Sequence, residues 1–161
     1  MPTQFSVAAV DPGLTTGVAR GVFDTSTYNT VPDVFRAAIE FESWECKGTI
    51  EEQSIELTEE LADWFSEQHL FRSIPIPNLF LVFEDFQLRT RFARLEGVRL
   101  REQFNARWTF KTIDIDTQQP SHAKRYATDE RLRRWGAWTK GSTHRRDATR
   151  HLLLRLSKVI D

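Results

Sequence analysis

Cysteine is almost absent: Cys46 is the single one in 161 residues. One thiol closes no internal disulfide and cannot build a thiolate zinc site, so a reducing, intracellular setting is expected. Glycine is scarce too, with seven residues and no two adjacent. That excludes the successive glycine-rich loops that wrap nucleotide phosphates, and no nucleotide cofactor is expected. No stretch approaches the roughly 18 consecutive apolar residues of a membrane span. The apolar run Phe5 to Val10 is too short for a signal peptide, so the expected location is the cytoplasm, with no membrane partner.

What is present fits one soluble domain spanning residues 1–161. Apolar residues make up 40% and charged residues 28%. A chain of this length buries roughly 70% of its unfolded surface. The net charge of −1 conceals a division. Residues 1–85 carry four basic against fifteen acidic side chains, a net of −11, and residues 86–161 carry eighteen against eight, a net of +10. Two solvated faces of opposite sign would explain this, but gathered basic residues also point to a polyanion such as nucleic acid.

Phe5 to Val10 reads as a strand ended by the turn Asp11-Pro12-Gly13, and Gly17 to Phe23 as a second strand. In residues 34–41 the apolar Phe35, Ala37, Ile39 and Phe41 recur at period two, which predicts a half-buried third strand with Arg36 and Glu40 on its wet side. Thr49 followed by Glu52 is a capping-box pair that starts a helix, with Ile50, Leu57, Leu61, Trp64 and Phe65 near one side. Leu79 to Phe83 is apolar throughout, as in a strand covered on both faces. Ala93, Gly97, Leu100, Phe104 and Trp108 share one helical face. Residues 111–117 suit a further strand, and short helices follow from His122 until Gly136 stops them. The last helix begins after Ser142 or Thr143 and buries Ala148, Leu152, Leu156 and Ile160. Strands and helices in this order give a mixed α/β domain around one sheet.

Three acids stand out against this frame. Asp11 ends the first strand, Glu84 ends the buried one, and Asp147 lies in the first turn of the last helix, with His144 three residues earlier on the same side. Taken singly, each has an ordinary explanation as turn former, strand end, helix-terminus charge or surface residue. Placed together, carboxylates repel by about 4 kcal/mol per close pair at an effective dielectric near 20. A hard divalent cation removes that penalty, and Mg²⁺ takes oxygen ligands while keeping waters. Two such ions about 3.5–4 Å apart suit phosphodiester hydrolysis.

The stretches VAAVDPGLTTGVA, LVFEDF and HRRDATRHLLL together resemble the RuvC-like branch of the ribonuclease H-like nucleases, and residues 118–138 look like a segment of the phage-type resolvases. The resemblance implies a mixed five-stranded sheet flanked by helices. It implies a hydrolase acting on Holliday junctions and other branched DNA in recombination and repair, as a homodimer, leaving 5′-phosphate and 3′-hydroxyl ends. It implies Mg²⁺, with Mn²⁺ as substitute and two ions per site, held by the catalytic set Asp11, Glu84, His144 and Asp147. Asp85 would stand behind Glu84. Lys124 would meet the scissile phosphate, and Arg89, Arg91, Arg94 and Arg145 would hold backbone phosphates. Phe86 and Phe92 would stack on unpaired bases at the junction centre, or else belong to the core.

Three other functions compete. An actin-like or sugar-kinase ATPase fails on its missing glycine loops and second lobe. A non-catalytic nucleic-acid-binding module explains the charge division but not four converging ligands. A nuclease for flaps, forks or RNA–DNA hybrids keeps the chemistry and changes the target.

Overall fold

The computed structural model describes residues 3–85 and 95–161. Five strands, β1 (Gln4–Asp11), β2 (Thr16–Asp24), β3 (Glu40–Cys46), β4 (Leu79–Glu84) and β5 (Ile115–Gln118), form one sheet in the order β3-β2-β1-β4-β5. β1–β2 and β2–β3 are antiparallel, while β1–β4 and β4–β5 are parallel, as the helical crossovers between them require. The helices among the described residues are α1 (Val31–Arg36), α2 (Ile50–Leu70), α3 (Glu96–Arg107), α4 (Pro120–Tyr126), α5 (Asp129–Trp135) and α6 (Thr143–Ile160).

Side-chain alternation sends each strand's residues to two separate cores. Ala8, Val10, Leu81 and Phe83 pack with Leu57, Leu61 and Phe65 of α2 and Leu100 and Phe104 of α3. Val7, Ala9 and Val82 face the other way, onto Leu152, Leu153 and Leu156 of α6. Continuing that parity one step past each apolar run puts Asp11 and Glu84 on the α6 side.

The third strand starts later than its sequence pattern suggests. Residues 31–36 are helical: Pro32 sits in the first turn, the Thr30 hydroxyl donates to Asp33 Oδ2 at 2.6 Å, and Val31, Val34 and Phe35 are buried at i, i+3 and i+4. The period-two reading of 34–41 is therefore wrong, and Ile39 is 45% exposed rather than buried. The pattern is mimicked because a helix of under two turns and a strand both place Phe35 and Phe41 inward. The strand expected over 111–117 is shorter and later, at Ile115–Gln118, and Ile160 is only partly buried. Ala93 lies outside the described residues.

The capping box of α2 forms as expected, with Glu52 N donating to Thr49 Oγ1 at 3.1 Å and Thr49 N to Glu52 Oε2 at 2.8 Å. Gly136 stops α5 in the left-handed region at φ 76°. The decisive glycine for the site is Gly17. A Cβ built there would lie 2.0 Å from the His144 carbonyl oxygen and 2.3 Å from its carbonyl carbon, so the first turn of α6 rests directly on β2. Replacing Gly17 with Ala must push α6 off the sheet, and urea unfolding should show a loss of about 3 kcal/mol, the upper end for overpacking. Gly13→Ala, whose Cβ would meet its nearest neighbour at 3.3 Å, should cost far less.

Candidate active site

Register carries one row of residues across the sheet on the α6 side. Gly17 pairs with Asp11 on one side and Glu45 on the other, Glu84 pairs with Gln118, and Asp11 and Glu84 follow the paired Val10 and Phe83. The row therefore reads Glu45, Gly17, Asp11, Glu84, Gln118. Helix α6 lies across it, and residues 144, 147 and 151 at i, i+3 and i+7 form its facing stripe.

The helix is pinned at its start. Ser142 caps it, accepting from Arg145 N at 3.1 Å, and the same hydroxyl donates to Glu45. That bond is the main cause holding the Glu45 carboxyl below its ordinary range. Next, His144 Nδ1 donates to Asp11 Oδ2 at 3.1 Å, which raises the His144 pKa. One turn on, Asp147 accepts from Arg150 and forms an ion pair with Lys124 Nζ at 3.3 Å. Arg150 is itself buried, bonds Asp129, and donates its Nε to the Ala127 carbonyl at 2.9 Å, so α6 is tied to the α4–α5 junction.

His151 is the participant that sequence reading passed over. It is 1% exposed, and its Nε2 donates to Glu84 Oε2 at 2.9 Å. Its Nδ1 lies 3.0 Å from Gln118 Oε1, while Gln118 Nε2 is buried with no partner among the described residues. Turning that amide over lets Nε2 donate to Nδ1, so each ring nitrogen has one partner. The signal was available: the H-x₆-H spacing of His144 and His151 puts both on the stripe of Asp147.

The acids are deeply placed, Asp11 at 7% and Asp147 at 8% exposed. Burial pushes the Asp11 carboxyl from its ordinary 3.8 up to about 6; the His144 hydrogen bond opposes the rise, and the Glu84 and Asp147 charges add to it. The four expected ligands thus share one sheet end, each carboxylate held by a basic side chain. They form no closed cage: among the described residues no three Asp, Glu, His or Cys side chains are placed to hold one ion. Mg²⁺ needs no such cage, since one or two carboxylates and waters suffice. Hard oxygens that repel one another in a buried row fit a divalent cation.

The other expected residues divide. Lys124 joins the site through Asp147. Arg145 is half-buried at the α6 start, its Nε donating to Ser43 Oγ at 3.2 Å. Asp85 has the opposite parity to Glu84; it accepts from Gln119 Nε2 at 2.7 Å and lies 3.6 Å from Arg101, away from the row. Phe86, Arg89, Arg91, Phe92 and Arg94 lie outside the described residues.

Neither a protein-family model nor a curated protein matches the sequence. Solved structures do. Thermus thermophilus RuvC superposes with a TM-score of 0.61 at 15% identity, covering 96% of this chain and 95% of that one. T. thermophilus RuvC in complex with Holliday junction substrate gives 0.59 at 13% identity, covering 96% and 94%. The fold is that of RuvC. It is the ribonuclease H-like arrangement of a mixed five-stranded sheet flanked by helices. Among the described residues no helix is long and apolar enough to cross a membrane.

Two stability experiments probe this arrangement. Because the folded Asp11 pKa lies above its unfolded value, the ionised group opposes folding as pH rises through about 6, and the penalty vanishes below 3.8. Asp11→Asn should therefore stabilise the metal-free protein at pH 8 by up to about 3 kcal/mol, the gain shrinking towards pH 4. A gain independent of pH in thermal melts would contradict the buried-carboxylate account. His151→Leu strands Glu84 and should cost about 1–3 kcal/mol, whereas His151→Gln keeps a donor for Glu84 and should recover much of it.

Proposed function

We propose that this chain is a metal-dependent, structure-selective endodeoxyribonuclease that cuts four-way junctions and other branched DNA by phosphodiester hydrolysis. The observation carrying this reading is the buried row Asp11–Glu84 facing His144 and Asp147 across α6 in a RuvC fold. A RuvC of the same fold solved with Holliday junction substrate supports the choice of DNA.

In this reading Asp11, Glu84 and Asp147 hold Mg²⁺ or Mn²⁺. A pair of such ions supplies an activated water and stabilises the leaving oxygen. The chain's own groups do the rest. His144, released from Asp11, would accept on a free ring nitrogen the proton that the attacking water loses. Lys124, already beside Asp147, turns its ammonium to a phosphate oxygen of the substrate. His151 and Gln118 keep the Glu84 carboxylate aimed into the row. Symmetric nicks on a four-way junction require two such sites, so the working form is a two-fold homodimer.

Each carboxylate already has a basic side chain against it, and this one observation favours a second reading, a nucleic-acid-binding module of the same fold without catalysis. A single panel separates the two: labelled four-way junction, flap, fork, linear duplex and RNA–DNA hybrid, with and without Mg²⁺. The expected result is Mg²⁺-dependent cutting of the junction well above linear duplex. Asp11→Asn and Asp147→Asn should each lower the rate by about a thousand-fold, matching several kcal/mol of charge stabilisation lost, while junction binding persists. Binding without cutting by the unaltered protein would establish the second reading.

A further inference from the structure

The described arginines fall into two groups. Arg20, Arg36, Arg72, Arg101, Arg107, Arg134, Arg150 and Arg155 each lie against a carboxylate. Of the six without one among the described residues, five (Arg125, Arg131, Arg133, Arg145 and Arg146) fall within 22 residues around α4, α5 and the start of α6. Arginine left unpaired on this scale is positive charge kept for something that arrives.

Two of these arginines are held side by side. The Arg133 guanidinium lies 3.9 Å from the centroid of the Trp138 ring, and the Arg146 guanidinium lies 4.4 Å from the same centroid. Both distances are within the range of cation–π attraction, so one ring holds both guanidiniums. Arg146 is further anchored, donating to the Thr139 carbonyl at 2.8 Å and to Thr143 Oγ1 at 3.3 Å. The indole thus fixes two like charges that would otherwise splay apart, and an anion relieves their repulsion. The stack adjoins the candidate active site directly: Arg146, Asp147, Lys124 and Thr143 line one open cleft of about 390 Å³.

We propose that the Arg133–Trp138–Arg146 stack is a clamp for the sugar-phosphate backbone of a duplex DNA arm leaving the active site at its Asp147 end. The inference rests on the nuclease reading and adds to it where one arm runs. Backbone is favoured over unpaired bases because the indole is already engaged by two guanidiniums and by the core, which leaves it a poor platform for base stacking. A polymer is favoured over a small anion because the five arginines without a carboxylate are spread over three successive elements, α4, α5 and the start of α6.

The test is fluorescence anisotropy of a labelled four-way junction in Ca²⁺, to suppress turnover, across a series of NaCl concentrations. The unaltered protein should bind with a steep salt dependence. The double variant Arg133→Gln/Arg146→Gln should lower the slope of log Kd against log[salt] by about 2, since each lost phosphate contact removes about 0.9. Arg133→Lys/Arg146→Lys keeps both charges and should restore the slope, which also answers any loss caused by misfolding. Arg107→Gln, which removes an arginine paired with Glu51, should leave the slope unchanged. An unaltered slope and affinity in the Gln double variant, or an equal drop for Arg107→Gln, would overturn the clamp alone. An unaltered protein that binds no junction at any salt would overturn the nuclease reading and the clamp with it.

Discussion

Helix α6 rests on the sheet where the sheet presents no side chain, and every contact at the site follows from that approach. Gly17 lies between Glu45 and Asp11 in the row that also carries Glu84, and its missing Cβ lets the His144 carbonyl settle against β2. Once the first turn is seated there, the 1.5 Å rise per residue sets the rest. His144 arrives at Asp11, Asp147 follows one turn on, and His151 reaches Glu84 a further turn away. Ser142 and Glu45 fix the starting point and Arg150 fixes the flank, so the helix can neither slide along the row nor rotate out of it.

The closeness has an electrostatic cost that the fold manages with bases rather than by protonation alone. Each carboxylate meets a basic side chain: Asp11 meets His144, Glu84 meets His151, and Asp147 meets both Lys124 and Arg150. Compensation is least complete at Asp11, where burial outweighs the histidine and the carboxyl rises to about 6. A buried group left in that state is a point where an added cation gains most, because the repulsion it relieves is already present in the folded protein. The partners also differ in how easily they yield. Lys124 and His144 are well exposed at 56% and 44% of their side chains and can swing away, whereas Arg150 and His151 are buried and stay. The row is therefore open on its Lys124–His144 side and closed on its Arg150–His151 side.

Much of this was legible in the sequence because strand parity and helix period are simple rules. An apolar strand ending in an acid places that acid on a computable face, and H-x-x-D in a first helical turn places both side chains together. What escaped was set by partners distant in the chain. The short helix at Val31–Arg36 depends on Pro32 and on a core contact that period counting cannot weigh against an alternating strand. His151 was hidden because it lies inside an apolar stripe, beside Leu152 and Leu153, where a histidine reads as filler until Glu84 and Gln118 are seen on either side. The same holds for Glu45, whose part depends on the pairing of β3 with Gly17.

The division of charge along the chain becomes a division in space through the sheet. Helix α2 packs on the face opposite α6 and turns Glu51, Glu52, Glu56, Glu59 and Glu60 to solvent. Five of the six described arginines without a carboxylate lie on α4, α5 and the start of α6, elements packed on that other face, and Arg146 lines the cleft beside Asp147. A polyanion approaching such a molecule is repelled from one side and drawn to the other, so orientation is settled before contact, at distances up to the screening length of about 8–10 Å. The acids of the row spoil this attraction little, since Lys124 and Arg150 lie against Asp147 at its mouth. Near-zero net charge is thus compatible with strong directional steering, and the acidic helix contributes by making the wrong face unattractive.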